Sequence, residues 1–341
     1  MSIKQVVRVL FVAILSCIYS ILVLISCLFR PKWLFGGFFK KPKSDKPPEC
    51  LNDPDLGTHG YVHLEEVRIH YVAAGTEGKP LMLLVHGFPE FWYSWRFQLK
   101  EFSKEYRVVA IDQRGYGDSD KPSGIMNYST DKLSQDLKQL IPALGYRDCI
   151  LVGHDWGGAV VFNFVNKYPE MVKKLIVMNA PHGAVMVKEL QTSRKQFLMS
   201  WYMFFFQMPF LPEFWLSHNN CSMLEVMFRG KDGKKLQHCT EEDIEAYKYN
   251  FAKKGNGFTG PLNYYRAALR KEVDKSVFKP IEVPTLIVWG TEDLALNRKL
   301  PELSKQYIKD CTIKYIEGAS HWVTMDGYEE ANKHIWEFVK A

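Results

Sequence analysis

The segment Gly153-His154-Asp155-Trp156-Gly157-Gly158 places one acidic side chain in a glycine-flanked turn directly after the apolar run Cys149–Val152. This is the pattern of a nucleophile elbow, G-x-S-x-G, with Asp155 where a serine would stand. Glycines at these positions allow a tight turn and let the following helix approach the strand closely. A turn of this kind lifts the central side chain into a cleft, at the positive end of a helix. A carboxylate is ionised at neutral pH and needs no base to act as a nucleophile. It can displace a leaving group at saturated carbon and form an ester. From this segment alone, an ordinary strand-end Asp capping a helix is an equally good reading.

Three other segments bear on the choice. His86-Gly87-Phe88-Pro89 ends the apolar run Leu81–Val85, and a turn there would leave a backbone N–H facing the same cleft. The N–H groups of Phe88 and Trp156 together could form an oxyanion hole. The His86 side chain itself is better read as structural, bonded to backbone. Downstream, Trp289-Gly290-Thr291-Glu292-Asp293 and Gly318-Ala319-Ser320-His321-Trp322 each follow a strand-like run. His321 would be a general base with Asp293 orienting its ring, and Glu292 is the rival acid. A single strand-end histidine is more often structural than catalytic. Nucleophile, acid and histidine in that chain order reverse the balance.

These residues need a scaffold that brings strand ends together. Leu81–Gly87, Arg107–Asp112, Cys149–Asp155, Lys174–Pro181, Thr285–Gly290 and Thr312–Gly318 are short apolar runs bounded by Gly, Asp or Pro. That is the signature of buried parallel strands. Tyr61–Ala73 alternates in the manner of a hairpin strand. Helical patterns such as 130–144 and 157–168 lie between the runs, which predicts an open α/β sheet. Functional groups in such sheets collect beyond the carboxyl ends of the strands. Residues 183–275 break the alternation. They are helical in pattern and aromatic-rich, and are expected to form a cap inserted between two strands.

The expected organisation is therefore an anchor at 1–30, a linker at 31–59, core at 60–182, cap at 183–275 and core again at 276–341. The anchor rests on Val9–Phe29, an uncharged apolar run of 21 residues. At about 1.5 Å per residue it spans roughly the hydrocarbon core of a bilayer. A cleaved signal peptide fits less well, because its apolar stretch is shorter and a small-residue cleavage site should follow. Arg30, Lys32, Lys40, Lys41, Lys43 and Lys46 follow the run, against Lys4 and Arg8 before it. This flank favours a cytoplasmic body. Sequons at Asn127 and Asn220 would matter only in a lumenal one. The net charge of +6 arises wholly within residues 1–50, and the remainder is balanced. A neutral body argues against a nucleic-acid binder. With 47% hydrophobic and 24% charged residues the chain is not a disordered one. Its seven cysteines have no paired or metal-ligand spacing.

Together, HGFPEFWYSWR (86–96), DQRGYGDSDKP (112–122), GHDWGG, WGTEDLAL and GASHW resemble the epoxide hydrolase family, specifically the membrane-anchored animal enzymes related to the soluble one. The resemblance runs from about Gly60 to the C-terminus. It implies an α/β-hydrolase fold with a mostly parallel sheet and an inserted helical cap, preceded here by one transmembrane helix. It implies a nucleophilic Asp155, a His321–Asp293 pair, an oxyanion loop and two cap tyrosines that donate to the epoxide oxygen. The tyrosines are Tyr265 in GPLNYYRAAL and Tyr202 in SWYMFFFQMP, with Tyr264 as the adjacent phenol. An aromatic-rich helix can also simply be packing. No metal or organic cofactor is implied. The expected partners are a lipophilic epoxide, such as a fatty-acid epoxide, and the bilayer, with the endoplasmic reticulum as the expected location. Two alternatives stay open: a haloalkane dehalogenase-like enzyme, which would hold halide on indole N–H groups and lack the tyrosine pair, and a silent interaction protein, which would be expected to lose Asp155, Asp293 or His321.

Overall fold

The computed structural model describes residues 3–29, 46–229, 239–253, 257–270 and 279–341. Arg30, Lys32, Lys40, Lys41 and Lys43 of the basic flank lie outside the described residues, as do much of the expected linker and cap residues 271–275. Eight strands form one sheet: β1 (Thr58–His63), β2 (Arg68–Ala74), β3 (Leu81–Val85), β4 (Arg107–Ile111), β5 (Cys149–His154), β6 (Val172–Met178), β7 (Thr285–Gly290) and β8 (Cys311–Ile316). Their order is β1-β2-β4-β3-β5-β6-β7-β8. β1 and β2 form an antiparallel hairpin, and β2 pairs antiparallel with β4. All other pairings are parallel. The alternating stretch 61–73 is thus two strands rather than one, turned where the Leu64 N–H donates to the Val67 carbonyl.

β3, β5 and β7 are buried along their whole length. That is why they read as unbroken apolar runs: helices cover both faces of the sheet. α2 (Arg96–Phe102), α3 (Thr130–Ala143), α4 (Trp156–Lys167), and the C-terminal α11 (Leu300–Lys305), α12 (Val323–Asp326) and α13 (Tyr328–Lys340) belong to this layer. The chain reverses direction across the sheet at β3. Val85 pairs with both Ile111 of β4 and Gly153 of β5, so the loops leaving β3 and β5 rise side by side. This is the switch point at which α/β sheets hold ligands.

Between β6 and β7 the chain forms α5 (Gly183–Thr192), α6 (Arg194–Met199), α7 (Trp201–Phe205), α8 (Leu211–Arg229), α9 (Glu241–Ala252) and α10 (Thr259–Arg270). α8 is broken at His218–Cys221, where Asn219, Asn220 and Cys221 have positive φ. Polar bonds tie these helices to the core. The Tyr93 hydroxyl donates to Asp243 (2.7 Å), whose carboxylate also faces Arg96 (3.3 Å). The Tyr264 hydroxyl donates to the Arg114 carbonyl (2.8 Å), and the Trp322 indole to the Met227 carbonyl (2.9 Å).

The N-terminal α1 (Ile3–Leu28) contains one stretch, Gln5–Leu28, long and apolar enough to cross a membrane, with mean hydropathy 2.7. Arg8, Val12, Ser16, Tyr19, Val23 and Cys27 are half-buried or buried. They recur at the three-to-four spacing of one helix face, and α1 packs on α7. Ser20 is buried on the same side, whereas Val9, Ile14, Ile18, Ile21 and Ile25 are exposed. No disulfide joins any two of the seven cysteines, all of which are described.

Candidate active site

The elbow after β5 puts Asp155 at the N-terminus of α4 with φ 49° and ψ −118°. This is a conformation L-residues rarely adopt, and such strain persists only where neighbours enforce it. Those neighbours leave no room for side chains. A Cβ on Gly157 would lie 1.9 Å from the Val85 carbonyl oxygen. One on Gly87 would lie 2.4 Å from the Asp155 Cβ. Glycine at both positions lets the β3 and β5 loops meet with the Asp155 carboxylate between them.

That carboxylate is held at both oxygens. Oδ1 accepts the Phe88 N–H at 2.7 Å. Trp156 is the first residue of α4, so its N–H has no intrahelical acceptor. Oδ2 is 3.4 Å from Nε2 of His321, which the loop after β8 delivers. The Nδ1 of His321 bonds Oδ2 of Asp293 at 2.7 Å. Asp293 is fixed in turn by the N–H groups of Ala295 (2.7 Å) and Leu296 (2.8 Å) and by the Asn179 amide (2.7 Å). Glu292 is exposed, and it is Asp293 that meets the imidazole.

Burial opposes charge on His321. The Asp293 carboxylate outweighs it, with hydrogen bonds to Asp155 and Asp293, and holds the imidazole pKa well above its ordinary value. Burial likewise acts to raise the Asp293 pKa, but the facing imidazolium and the hydrogen bonds lower it on balance. The resting site is therefore an imidazolium between two carboxylates.

Tyr202 on α7 and Tyr265 on α10 face this group from above. Their rings meet edge to face at 5.8 Å, and Tyr265 also packs on Trp156 (4.9 Å) and Phe88 (5.2 Å). Both phenols are pushed up in pKa, first by burial and next by the nearby Asp155 charge. They remain protonated donors at neutral pH. Tyr264 points elsewhere, to the Arg114 carbonyl. Two cavities, of about 450 and 550 Å³, share Asp155, Tyr202 and Tyr265 in their walls. One runs beneath α5 and α10, and the other lies over His321 and Trp322.

Two supporting groups escaped the sequence reading. Glu90 is fully buried and accepts from the Gly87 N–H (2.9 Å) and from His154 Nδ1 (2.7 Å). The other nitrogen of His154 meets the His321 carbonyl at 2.8 Å. Both ring nitrogens face acceptors, so the ring is an imidazolium paired with Glu90. Burial works against the Glu90 charge, but the His154 charge and bonds win and bring its carboxyl pKa down to about 2. The pair links the loop after β3, the elbow and the loop that carries His321. The available signal was a lone acid inside the aromatic run Phe88–Trp92, which demands a buried partner. The second group is Asn179, which directly follows β6 and also accepts the Gly290 N–H (2.8 Å). The His86 ring bonds only backbone among its described partners, at Gly87 and Gln113. Among the described residues no cluster of His, Cys, Asp and Glu could hold a metal ion.

Comparison with known proteins matches residues 80–328 to the alpha/beta hydrolase fold family. The chain is 47% identical to Epoxide hydrolase 1 of Caenorhabditis elegans, over 90% of this chain and 77% of that one. It is 45% identical to Epoxide hydrolase 4 of Homo sapiens, over 89% and 84%. Among solved structures it is similar to an epoxide hydrolase from Bacillus megaterium in complex with an inhibitor. That similarity has a TM-score of 0.76 and 33% identity, covering 83% of this chain and all of the other.

Proposed function

The chain belongs to the epoxide hydrolases of the alpha/beta hydrolase fold, and from that premise we propose that it hydrolyses lipophilic epoxides through a covalent ester on Asp155. The observation that carries this reading is the two-sided grip on one carboxylate: Phe88 N–H at Oδ1, His321 at Oδ2, with two phenols over the same cavities.

In the first half-reaction Oδ2 of Asp155 attacks an epoxide carbon and the C–O bond of the ring breaks. Tyr202 and Tyr265 donate to the departing oxygen, because an unassisted alkoxide is a poor leaving group. Oδ1 becomes the ester carbonyl oxygen. Esterification removes one of the two negative charges that hold the proton on His321, so the imidazole pKa falls. Its proton is released, and in net balance the epoxide oxygen gains one. Neutral His321 then takes a proton from water while the hydroxyl adds to the ester carbonyl carbon. The oxyanion on Oδ1 is stabilised by the N–H groups of Phe88 and Trp156. Collapse breaks the bond from Cγ to the alkyl-bearing oxygen, frees the diol and restores carboxylate and imidazolium. Glu90–His154 and Asn179 act as positioning residues.

The phenol pair supports this reading over halide displacement, because halide leaves without a proton. The presence of Asp155, Asp293 and His321 at bonding distance argues against a silent scaffold. Oxygen tracing tests the chemistry. In a single turnover in heavy-oxygen water the diol should be unlabelled and the Asp155 carboxylate labelled. Label in the first-turnover diol would mean that water attacks the epoxide directly.

The substrate class rests on two apolar cavities meeting at one carboxylate, and on α1. The proposed setting is a single-pass membrane anchor with a cytoplasmic body, at the endoplasmic reticulum. Extraction at alkaline pH should leave full-length protein in the membrane pellet, and recovery of a soluble form beginning near residue 30 would overturn the anchor. Glycosidase-sensitive sugar on Asn127 or Asn220 would place the body on the lumenal side.

A further inference from the structure

The larger cavity opens onto an exposed apolar surface of the body. Leu294 and Val226 stand in its wall and are nevertheless 74% and 36% exposed, so they mark its mouth. Leu198 and Phe214 are exposed next in sequence to the wall residues Met199 and Trp215, and Phe210 lies one turn before Phe214. Among the described residues that follow Phe29, the remaining exposed large hydrophobics are only Tyr61 and Met126. No residue of α1 lines this cavity.

The surface is held in shape from beneath. Gln196 of α6 grips the loop that carries Leu294: Nε2 donates to the Ala295 carbonyl (3.0 Å), and Oε1 accepts the Asn297 N–H (2.8 Å). Trp201 of α7 meets Trp215 of α8 edge to face at 6.5 Å. Arg266 of α10 donates to the Phe206 and Met208 carbonyls (3.0 and 2.7 Å) and to Glu213 (2.7 Å), which fixes the turn carrying Phe210. Phe210 has φ 63° and is 84% exposed. A bulky side chain on left-handed backbone is strained, and such strain marks sites of function. Here it holds a phenyl ring out in water, where the body alone gains nothing from it. Arg194 and Lys195 are exposed on α6, a turn before Leu198. Glu213 and Glu225 of α8 are paired with Arg266 and Lys248, which leaves Glu292 as the exposed acid in the cavity wall.

Exposed apolar patches of this kind mark protein or membrane contacts. Two observations favour the bilayer. Residues 30–45 join the span to the body. They reach at most about 60 Å, and a body of this size has a radius of gyration of about 19 Å, so any of its faces can be turned to the membrane. Basic groups beside the apolar ones then suit the anionic headgroups of a cytoplasmic leaflet. We propose that this surface rests in the leaflet next to the body, with Leu198, Phe210, Phe214, Val226 and Leu294 among the acyl chains, so that the mouth of the larger cavity opens into lipid and the epoxide enters without crossing water. The inference rests on the reading of α1 as the anchor and of Asp155 as the point of attack.

The test uses the full-length protein in mixed phosphatidylcholine–phosphatidylserine vesicles. A benzophenone side chain in place of Phe210 or Leu198 should cross-link to lipid on illumination. One in place of Tyr61, on the edge strand β1 at the far side of the sheet, should not. Turnover gives a second readout. Leu198→Ser combined with Phe210→Asn removes apolar contact without changing a cavity-wall residue, and Asn accepts left-handed backbone. This double variant should lower kcat/KM for the terminal epoxide of octadecane, which is dissolved in the vesicle, by about tenfold or more. It should leave kcat/KM for the epoxide of butane, which arrives from water, unchanged. If the variant loses both substrates, the cross-links decide, since each is made in an otherwise native chain. Cross-links from Phe210 and Leu198 positions to a second copy of the chain, or lipid adducts equally frequent at Tyr61, would overturn the proposal. Absence of lipid adducts while the protein stays in the alkaline membrane pellet refutes the surface and leaves the anchor standing. Lipid adducts confined to the patch in a protein that alkali removes would support the surface and refute the anchor. The same adducts in a protein that turns over neither epoxide would support the surface and refute the chemistry.

Discussion

Replacing His321 by Gln should stop the enzyme halfway, with substrate attached. In the proposed mechanism ring opening uses the Asp155 carboxylate and the phenols, none of which the substitution removes. Ester hydrolysis needs a base on the water, and Nε2 of His321 is the nitrogen that faces the reacting carboxylate, 3.4 Å away. Loss of a positioned base typically slows its step by about 10²–10⁴. The variant should therefore gain the mass of one substrate, on the peptide containing Asp155, while diol release falls by that factor. An unmodified variant that has also lost all turnover would remove the ester from the mechanism.

The protonation of the resting site adds a condition to this step. His321 begins as an imidazolium because Asp293 and Asp155 both favour the charged ring. In the proposed mechanism it becomes a base only after esterification has neutralised Asp155, so the nucleophile and the base do not compete for one proton. In the wild type the rate of ester hydrolysis should rise with pH through the His321 pKa of the ester form, and that pKa lies below the one of the free enzyme. The stability linkage has the opposite sign. A histidine whose folded pKa is raised contributes stability in full below its unfolded pKa of about 6.5, and loses it as pH climbs through the folded value.

The main groups of the site were legible in the sequence for a physical reason. Buried parallel strands are continuous apolar runs, so a polar residue just past the end of one stands out. Asp155, Asp293 and His321 all lie there; β7 matches the sequence reading, and β3 and β5 differ from it only at their C-terminal ends. Tyr265 needed more, because Tyr264 beside it is also a phenol. The packing that turns Tyr264 to Arg114 is set by the core loop beneath the cap, not by local sequence. The Glu90–His154 pair was hidden for a similar reason: its members and partners come from the loop after β3, the end of β5 and the loop after β8. The break in α8 depends on left-handed backbone at Asn219, Asn220 and Cys221, and the identity of Cys221 gives no warning of it. The docked face of α1 was also overlooked. Ser16 and Ser20 are tolerated equally well in a lipid-facing helix, so their recurrence on one side carries meaning only once a surface is seen against it.

In the proposed mechanism the tyrosine pair separates epoxide opening from the displacement of a leaving group that departs without a proton. Tyr202→Phe and Tyr265→Phe together keep the ring volumes and remove both hydroxyl donors. A positioned proton donor is worth about 10²–10⁴ in rate, with single variants at the low end because the other phenol remains. The double variant should therefore alkylate Asp155 with an epoxide more slowly than wild type by at least about 10², a rate measured directly in the His321→Gln background. An alkyl iodide of the same carbon skeleton provides the control. Iodide departs without a proton, so its attack by the Asp155 carboxylate should proceed at nearly the same rate with or without the phenols. The two rings also pack on each other at 5.8 Å, and Tyr265 on Phe88 and Trp156. A defect in that packing would misplace the carboxylate itself and slow both reagents together. Loss of the epoxide reaction alone assigns the hydroxyls to the leaving oxygen. Equal loss of both would make the pair a packing element and leave the ring oxygen without its donors.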